Sequence, residues 1–129
     1  NTPPPLYAWL ARQPRGVVME FPVPTPDRLP GDEARYAYMS TFHWMPLANG
    51  YSGYYPPSYL DRLNAVRRFP DQTAVNALRR AGVRYVVVHA NAFALEAEPD
   101  VLHRLAEAGL WPVGRFSDGR GPATVYTLE

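Results

Sequence analysis

The chain has 129 residues, enough for one domain with a core that buries about two thirds of its unfolded surface. Its formal charge of +1 supplies no electrostatic drive toward nucleic acid, and ordinary hydrophobic content (47%) excludes wholesale disorder despite 15 prolines. Cysteine is absent, which removes disulfides, thiolate nucleophiles and Cys-based metal sites; all 13 cations are arginine. No run is long and apolar enough to span a membrane, and no signal peptide is visible. The chain starts at Asn1 without an initiator methionine and reads as an excised fragment of a longer protein.

In chain order, Pro3-Pro4-Pro5 reads as the end of a linker (1–5), with a single domain over 6–129. Leu6 to Leu10 carries apolar residues at helical spacing, stops at Pro14-Arg15-Gly16, and gives way to the strand Val17-Val18-Met19-Glu20-Phe21. A proline-rich loop follows, from Pro22 to Pro30. Glu33 to His43 fits a helix, with Tyr36, Met39 and His43 at spacings of three and four, although its alternation also tolerates an extended strand. Pro46 to Asn49 reads as a short strand or loop and Gly50-Tyr51-Ser52-Gly53 as a glycine-hinged turn. Ser58 caps a further helix, with Leu60, Leu63 and Val66 inward, ending at Phe69-Pro70.

Asp71 is placed to cap the next helix, with Val75, Leu78 and Ala81 on one side, and Gly82 closes it before the strand Val83 to His89. Pro99 opens another helix, with Val101, Leu102, Leu105 and Ala108 inward, and Gly109 ends it before the strand Leu110 to Phe116. The recurring helix–Gly–strand unit and the run Val86-Val87-Val88 suit strands buried on both faces, as in a parallel sheet. Asp118-Gly119-Arg120-Gly121 is turn chemistry, so Thr124 to Leu128 folds back on Val113 to Phe116 as a hairpin. The expected fold is therefore α/β: a single domain with a mixed, mostly parallel sheet flanked by helices, and a C-terminal antiparallel hairpin at its edge.

Ligands of open α/β sheets sit at the carboxyl ends of the strands. Glu20 and His89 end their strands, so they share a rim if those strands are parallel neighbours, and His43 and Asn49 could approach from the middle segment. A carboxylate beside an imidazole is a usable acid/base pair. Arg35 is an available partner for Glu20, in which case the glutamate is structural. His103, beside Arg104 in mid-helix, reads as solvent-facing, and the pairs Arg67-Arg68 and Arg79-Arg80 read as solvated helix faces.

Residues 35–59 hold roughly half of the chain's aromatics, interleaved with His43, Asn49, Ser52 and two glycines. Trp44, Tyr51, Tyr54 and Tyr55 offer ring faces for stacking on sugars, with Asn49 and Ser52 for their hydroxyls; the alternative is that these rings pack beneath their own loop. A phosphate-binding glycine loop and a zinc-protease helix are missing, and Gly50-Tyr51-Ser52-Gly53 is no nucleophile elbow, since the residue two after Ser52 is Tyr54. The three histidines lack the paired spacing of a zinc site. The reading assigns no catalytic residue, no metal and no cofactor. Glu20, His43, Trp44, Asn49, Tyr51, Ser52, Tyr54, Tyr55 and His89 are the candidate ligand-binding residues.

Three stretches carry a family resemblance: Trp9-Leu10 with Gly16 to Glu20; His43-Trp44-Met45-Pro46-Leu47-Ala48-Asn49-Gly50-Tyr51-Ser52-Gly53; and Ala81 to Val87. In that order the chain resembles the C-terminal soluble domain of large bacterial polytopic membrane proteins akin to C-type, protein-mannosyltransferase-like glycosyltransferases. The resemblance implies a catalytic carboxylate in a membrane-embedded region of the same polypeptide. It also implies an extracytoplasmic (periplasmic) location for this domain, and contact with a glycan, a polyprenyl-phosphate sugar or the transmembrane core. Two other readings stand beside it: a small soluble hydrolase or transferase using Glu20 with His43 or His89, and a protein-interaction module docking through the aromatic run.

Overall fold

The computed structural model describes residues 2–21, 35, 38–39, 42–43, 45, 69–89 and 98–128, with the backbone alone for 98–102. Among the described residues three helices and four strands follow in order: α1 (Pro5–Ala11), β1 (Val17–Phe21), α2 (Gln72–Arg80), β2 (Val83–His89), α3 (Glu98–Glu107), β3 (Leu110–Ser117) and β4 (Pro122–Leu128). α1 begins inside the stretch read as linker: Pro5 is its first residue, where a missing N–H costs nothing, and the Pro4 carbonyl accepts from Tyr7 and Ala8.

Gly82 and Gly109 close α2 and α3 with φ of +79° and +86°, the left-handed conformation expected of them. Asp71 stands at the N-cap of α2 but makes no side-chain cap; its carboxylate bonds Arg104 of α3 instead. A contact between the two helices has displaced the local one. On α3, Leu105 and Ala108 are buried as the periodicity required, and His103 is exposed, beside Glu107.

The sheet order is β1-β2-β4-β3. β1 pairs with β2 in parallel, whereas β4 is antiparallel to both β2 and β3. The sheet is thus mixed with two of three pairings antiparallel, which corrects the expectation of a mostly parallel sheet. It also corrects the position of the hairpin: β4 is an interior strand, and β3 is the edge. The reason lies in the side chains. β3 contains Pro112, which has no N–H to give a second neighbour, and leaves Trp111 and Val113 exposed. β4 buries Ala123, Val125, Tyr126 and Leu128 and so belongs between two strands.

Because β2 and β3 both oppose β4, the strands β1, β2 and β3 all run the same way. The helix–Gly–strand pattern gave their common direction correctly; it contained no sign of the strand inserted between two of them.

Each face of the sheet is covered. On one side α2 and α3 pack Ala74, Val75, Leu78, Leu105 and Ala108 against Met19, Val86 and Tyr126. On the other, Leu6, Tyr7 and Leu10 of α1 join Met39 and Met45 over Val18, Val87 and Val125. Val86 and Val87 point to opposite faces and are both fully buried, each contributing about 1.5–3 kcal/mol by leaving water. Arg35, Tyr38 and Met39 are in helical conformation; Met39 and His43 are buried, while Tyr38 is exposed and meets Phe42 edge-on. Tyr38 and Phe42 are an i, i+4 pair, His43 stands in a turn, and the other residues of the helix expected over 33–43 lie outside the described residues. Among the described residues no helix is long and apolar enough to cross a membrane.

Candidate functional site

The common direction of β1, β2 and β3 brings three strand ends to one rim of the sheet. Glu20 is the penultimate residue of β1, His89 the last of β2, and Asp118 the first after β3. Glu20 and His89 both point to the face that α1 covers, because they stand two residues beyond Val18 and Val87, which pack there. Glu20 is completely buried and His89 is 9% exposed.

His89 is held between the two carboxylates. Its Nε2 lies 2.7 Å from Glu20 Oε1, and its Nδ1 lies 2.6 Å from Asp118 Oδ2. Tyr7, from α1, donates its hydroxyl to the same Glu20 Oε1 at 2.9 Å. Asp118 is fixed from behind: its Oδ1 accepts the backbone N–H groups of Arg120 (2.6 Å) and Gly121 (2.8 Å) in the β3–β4 turn. Arg35 closes this end by donating to the Asp118 carbonyl at 2.7 Å. The result is a chain of bonds through four elements: α1, β1, β2 and the turn.

Electrostatics follow the geometry. Burial works against a charge on His89, but hydrogen bonds and attraction from Glu20 and then Asp118 outweigh it and hold the imidazole above its usual pKa. Burial likewise opposes the Asp118 charge, yet the N–H of Arg120, the His89 ring and the N–H of Gly121 bring that carboxyl below the usual range. The Tyr7 phenol is driven far above its ordinary value, first by burial and then by the negative charge of Glu20.

His43 lies next to this chain without joining it. Its ring stacks on Tyr7 at 6.1 Å, and its Nδ1 accepts the Met45 N–H at 3.0 Å. The ring proton is therefore on Nε2, which finds no hydrogen-bond partner among the described residues. Burial, reinforced by the positive charge of Arg15, lowers its pKa to about 4, so His43 is neutral at pH 7.

Of the sequence candidates, Glu20 and His89 meet, and His43 approaches only as far as Tyr7. Trp44, Asn49, Tyr51, Ser52, Tyr54 and Tyr55 lie outside the described residues. Arg35 sits at the cluster but bonds the Asp118 carbonyl, where the sequence offered it to Glu20. Asp118 and Tyr7 were missed. Asp118 was absorbed into a turn motif, and it does make that turn, with one oxygen, leaving the other for His89. Tyr7 was one apolar position on a helix. A tyrosine on a buried face needs a partner for its hydroxyl, and that was the usable signal.

Among the described residues no group of three His, Asp or Glu is arranged to hold a metal ion. Both His89 nitrogens point at carboxylates, a geometry for sharing protons and not for ligation. No family model, curated protein or solved structure matches the chain.

Proposed function

We propose that this domain works by contact and not by chemistry of its own, as a non-catalytic, extracytoplasmic domain of a membrane glycosyltransferase-like protein. The observation that carries the non-catalytic part is the closure of the buried cluster. Both ring nitrogens of His89 are engaged by Asp118 and Glu20, and Glu20 has no exposed surface. A general base must reach the proton it abstracts, directly or through one water. This pair is turned inward. The membrane context is supported by the resemblance of the segments around Trp9, Glu20, His43–Gly53 and Ala81–Val87 to such proteins. On this reading the aromatic segment 35–59 contacts glycan, lipid-linked sugar or the membrane-embedded core.

Immunoblotting of fractionated source cells with antibody to this domain tests the reading. A membrane-fraction band several times larger than 14.5 kDa is expected. A soluble band near 14.5 kDa overturns it.

The 2.7 Å contact of Glu20 with His89 favours a second reading, in which the pair is an acid/base site for a small hydrolase or transferase. Turnover of chromogenic ester or glycoside substrates by the isolated domain, lost in both Glu20→Gln and His89→Gln, would establish it. Absence of turnover above buffer leaves contact as the function.

A further inference from the structure

The end of the sheet opposite the Glu20–His89–Asp118 rim is where β1, β2 and β3 begin, and its charge is mostly positive. Arg12 and Arg15 lie on the connection from α1 to β1, Arg80 at the end of α2 and Arg84 at the start of β2, and all four are exposed. The connection and β2 are tied together here: Arg84 donates to the Arg15 carbonyl at 3.2 Å, and Tyr85 donates its hydroxyl to the Pro14 carbonyl. Glu107, the acidic residue at this end among the described residues, faces His103 at 3.4 Å. A chain of formal charge +1 thus has these arginines at one end and its buried carboxylates, Glu20 and Asp118, at the other.

Exposed apolar surface stands beside the arginines. Trp111 is 55% and Val113 44% exposed, both on the edge strand β3. Tyr85 pairs with Thr127 and Thr127 with Trp111, so Trp111 lies two strands, or about 10 Å, from the chain neighbour of Arg84. Trp111 takes the face that α1 covers, because its partner Thr127 is two residues from Val125, which packs there. Arg12, at the end of α1, is on that face too. The edge is not prepared for another strand: Pro112 has no N–H, and Val113 stands at a register shift, opposite no residue of β4. Trp111 and Val113 are exposed for something other than sheet extension.

We propose that this end of the domain docks on an anionic lipid surface, with Arg12, Arg15, Arg80 and Arg84 at the headgroup phosphates and Trp111 and Val113 entering the interface beside them. Charge complementarity selects the sign of the surface: guanidinium groups pair with phosphate oxygens through parallel hydrogen bonds, and an anionic leaflet attracts each basic residue near it. The apolar pair selects a membrane over a soluble polyanion. Tryptophan settles at the headgroup level, and arginine stems lie along apolar surface with their heads in water. A nucleic acid would engage the arginines and leave Val113 in water. The membrane face needs no contribution from residues 35–59, so it stands or falls separately from the function proposed above.

Co-sedimentation of the 129-residue chain with vesicles tests this. Binding should be strong to equimolar phosphatidylcholine and phosphatidylglycerol and weak to phosphatidylcholine alone. It should fall as NaCl rises from about 0.05 M to about 0.5 M. Arg12→Gln combined with Arg80→Gln should weaken binding roughly 25-fold, at about fivefold for each charge near the surface. Arg120→Gln, exposed at the opposite rim, should bind as wild type does. Trp111→Phe should reduce fluorescence quenching by lipids brominated in their acyl chains, and Trp111→Ala should lower the affinity. Thermal melts by circular dichroism verify that each variant is folded. Equal binding to both vesicles, equal losses in the double variant and Arg120→Gln, or unchanged quenching in Trp111→Phe would each overturn the membrane face. So would an oligonucleotide that binds as tightly as the anionic vesicles at the same salt.

Discussion

Glu20→Gln is the substitution that bears most directly on the buried cluster. It keeps the volume of a side chain with no exposed surface and removes only its charge. Two bonds to Oε1, from His89 at 2.7 Å and Tyr7 at 2.9 Å, lose their charged acceptor; the Tyr7 bond becomes neutral, while His89 remains a charged donor. A hydrogen bond to a charged group contributes about 1.5–3 kcal/mol and a neutral one about 0.5–1.5, so the Tyr7 bond loses about 1–1.5 kcal/mol, the His89 bond loses no more than that, and the expected total is about 1–3 kcal/mol. This is less than the ~3–5 kcal/mol for stranding a buried charge, because Asp118 still neutralises His89. The pH dependence is the sharper readout. His89 has a folded-state pKa above the ordinary 6.5, so its contribution is complete below that value and is lost as pH rises through the folded pKa. With one of its two anions gone, that alkaline loss should shrink. Urea unfolding of both proteins at about pH 6 and about pH 9 measures both quantities. A variant within about 0.5 kcal/mol of wild type at the lower pH, with the alkaline loss intact, would refute a charged Glu20–His89 bond as a determinant of stability.

His43 shapes the opposite limb. Its depressed pKa means the unfolded chain takes up the proton first, so stability should fall as pH drops from about 6.5 toward about 4, placing the optimum near neutrality. His43→Asn keeps an acceptor for the Met45 N–H and does not titrate, so thermal melts in that range should flatten. Leu10→Ala empties a fully buried site of α1 and should cost about 2–5 kcal/mol in urea unfolding. Gly82→Ala meets no neighbouring atom, so its cost is the left-handed backbone alone, about 1–2 kcal/mol by calorimetry, without a change in the α2–sheet core.

Much of this molecule is written locally. The spacing of Leu6 and Leu10, the glycines after α2 and α3, the Val86–Val88 run and the Asp118–Gly121 turn each act within a few residues, so α1 to α3, the four strands and the hairpin followed from sequence, while the helix expected from Ser58 lies outside the described residues. The placing of Glu20 and His89 at strand ends was legible for the same reason. Insertion of β4 between β2 and β3 was not, because pairing partners are chosen by which strand buries both faces and which tolerates an edge. Pro112, exposed Trp111 and the buried side chains of β4 settled that choice only when the strands were compared with one another. The same insertion leaves the end of β3 beside His89, turning a turn-forming aspartate into the second anion of a buried pair. Tyr7 reached Glu20 only once α1 lay across the sheet. Residue chemistry along the chain determined what each segment could be; long-range packing decided which charges had to share a proton.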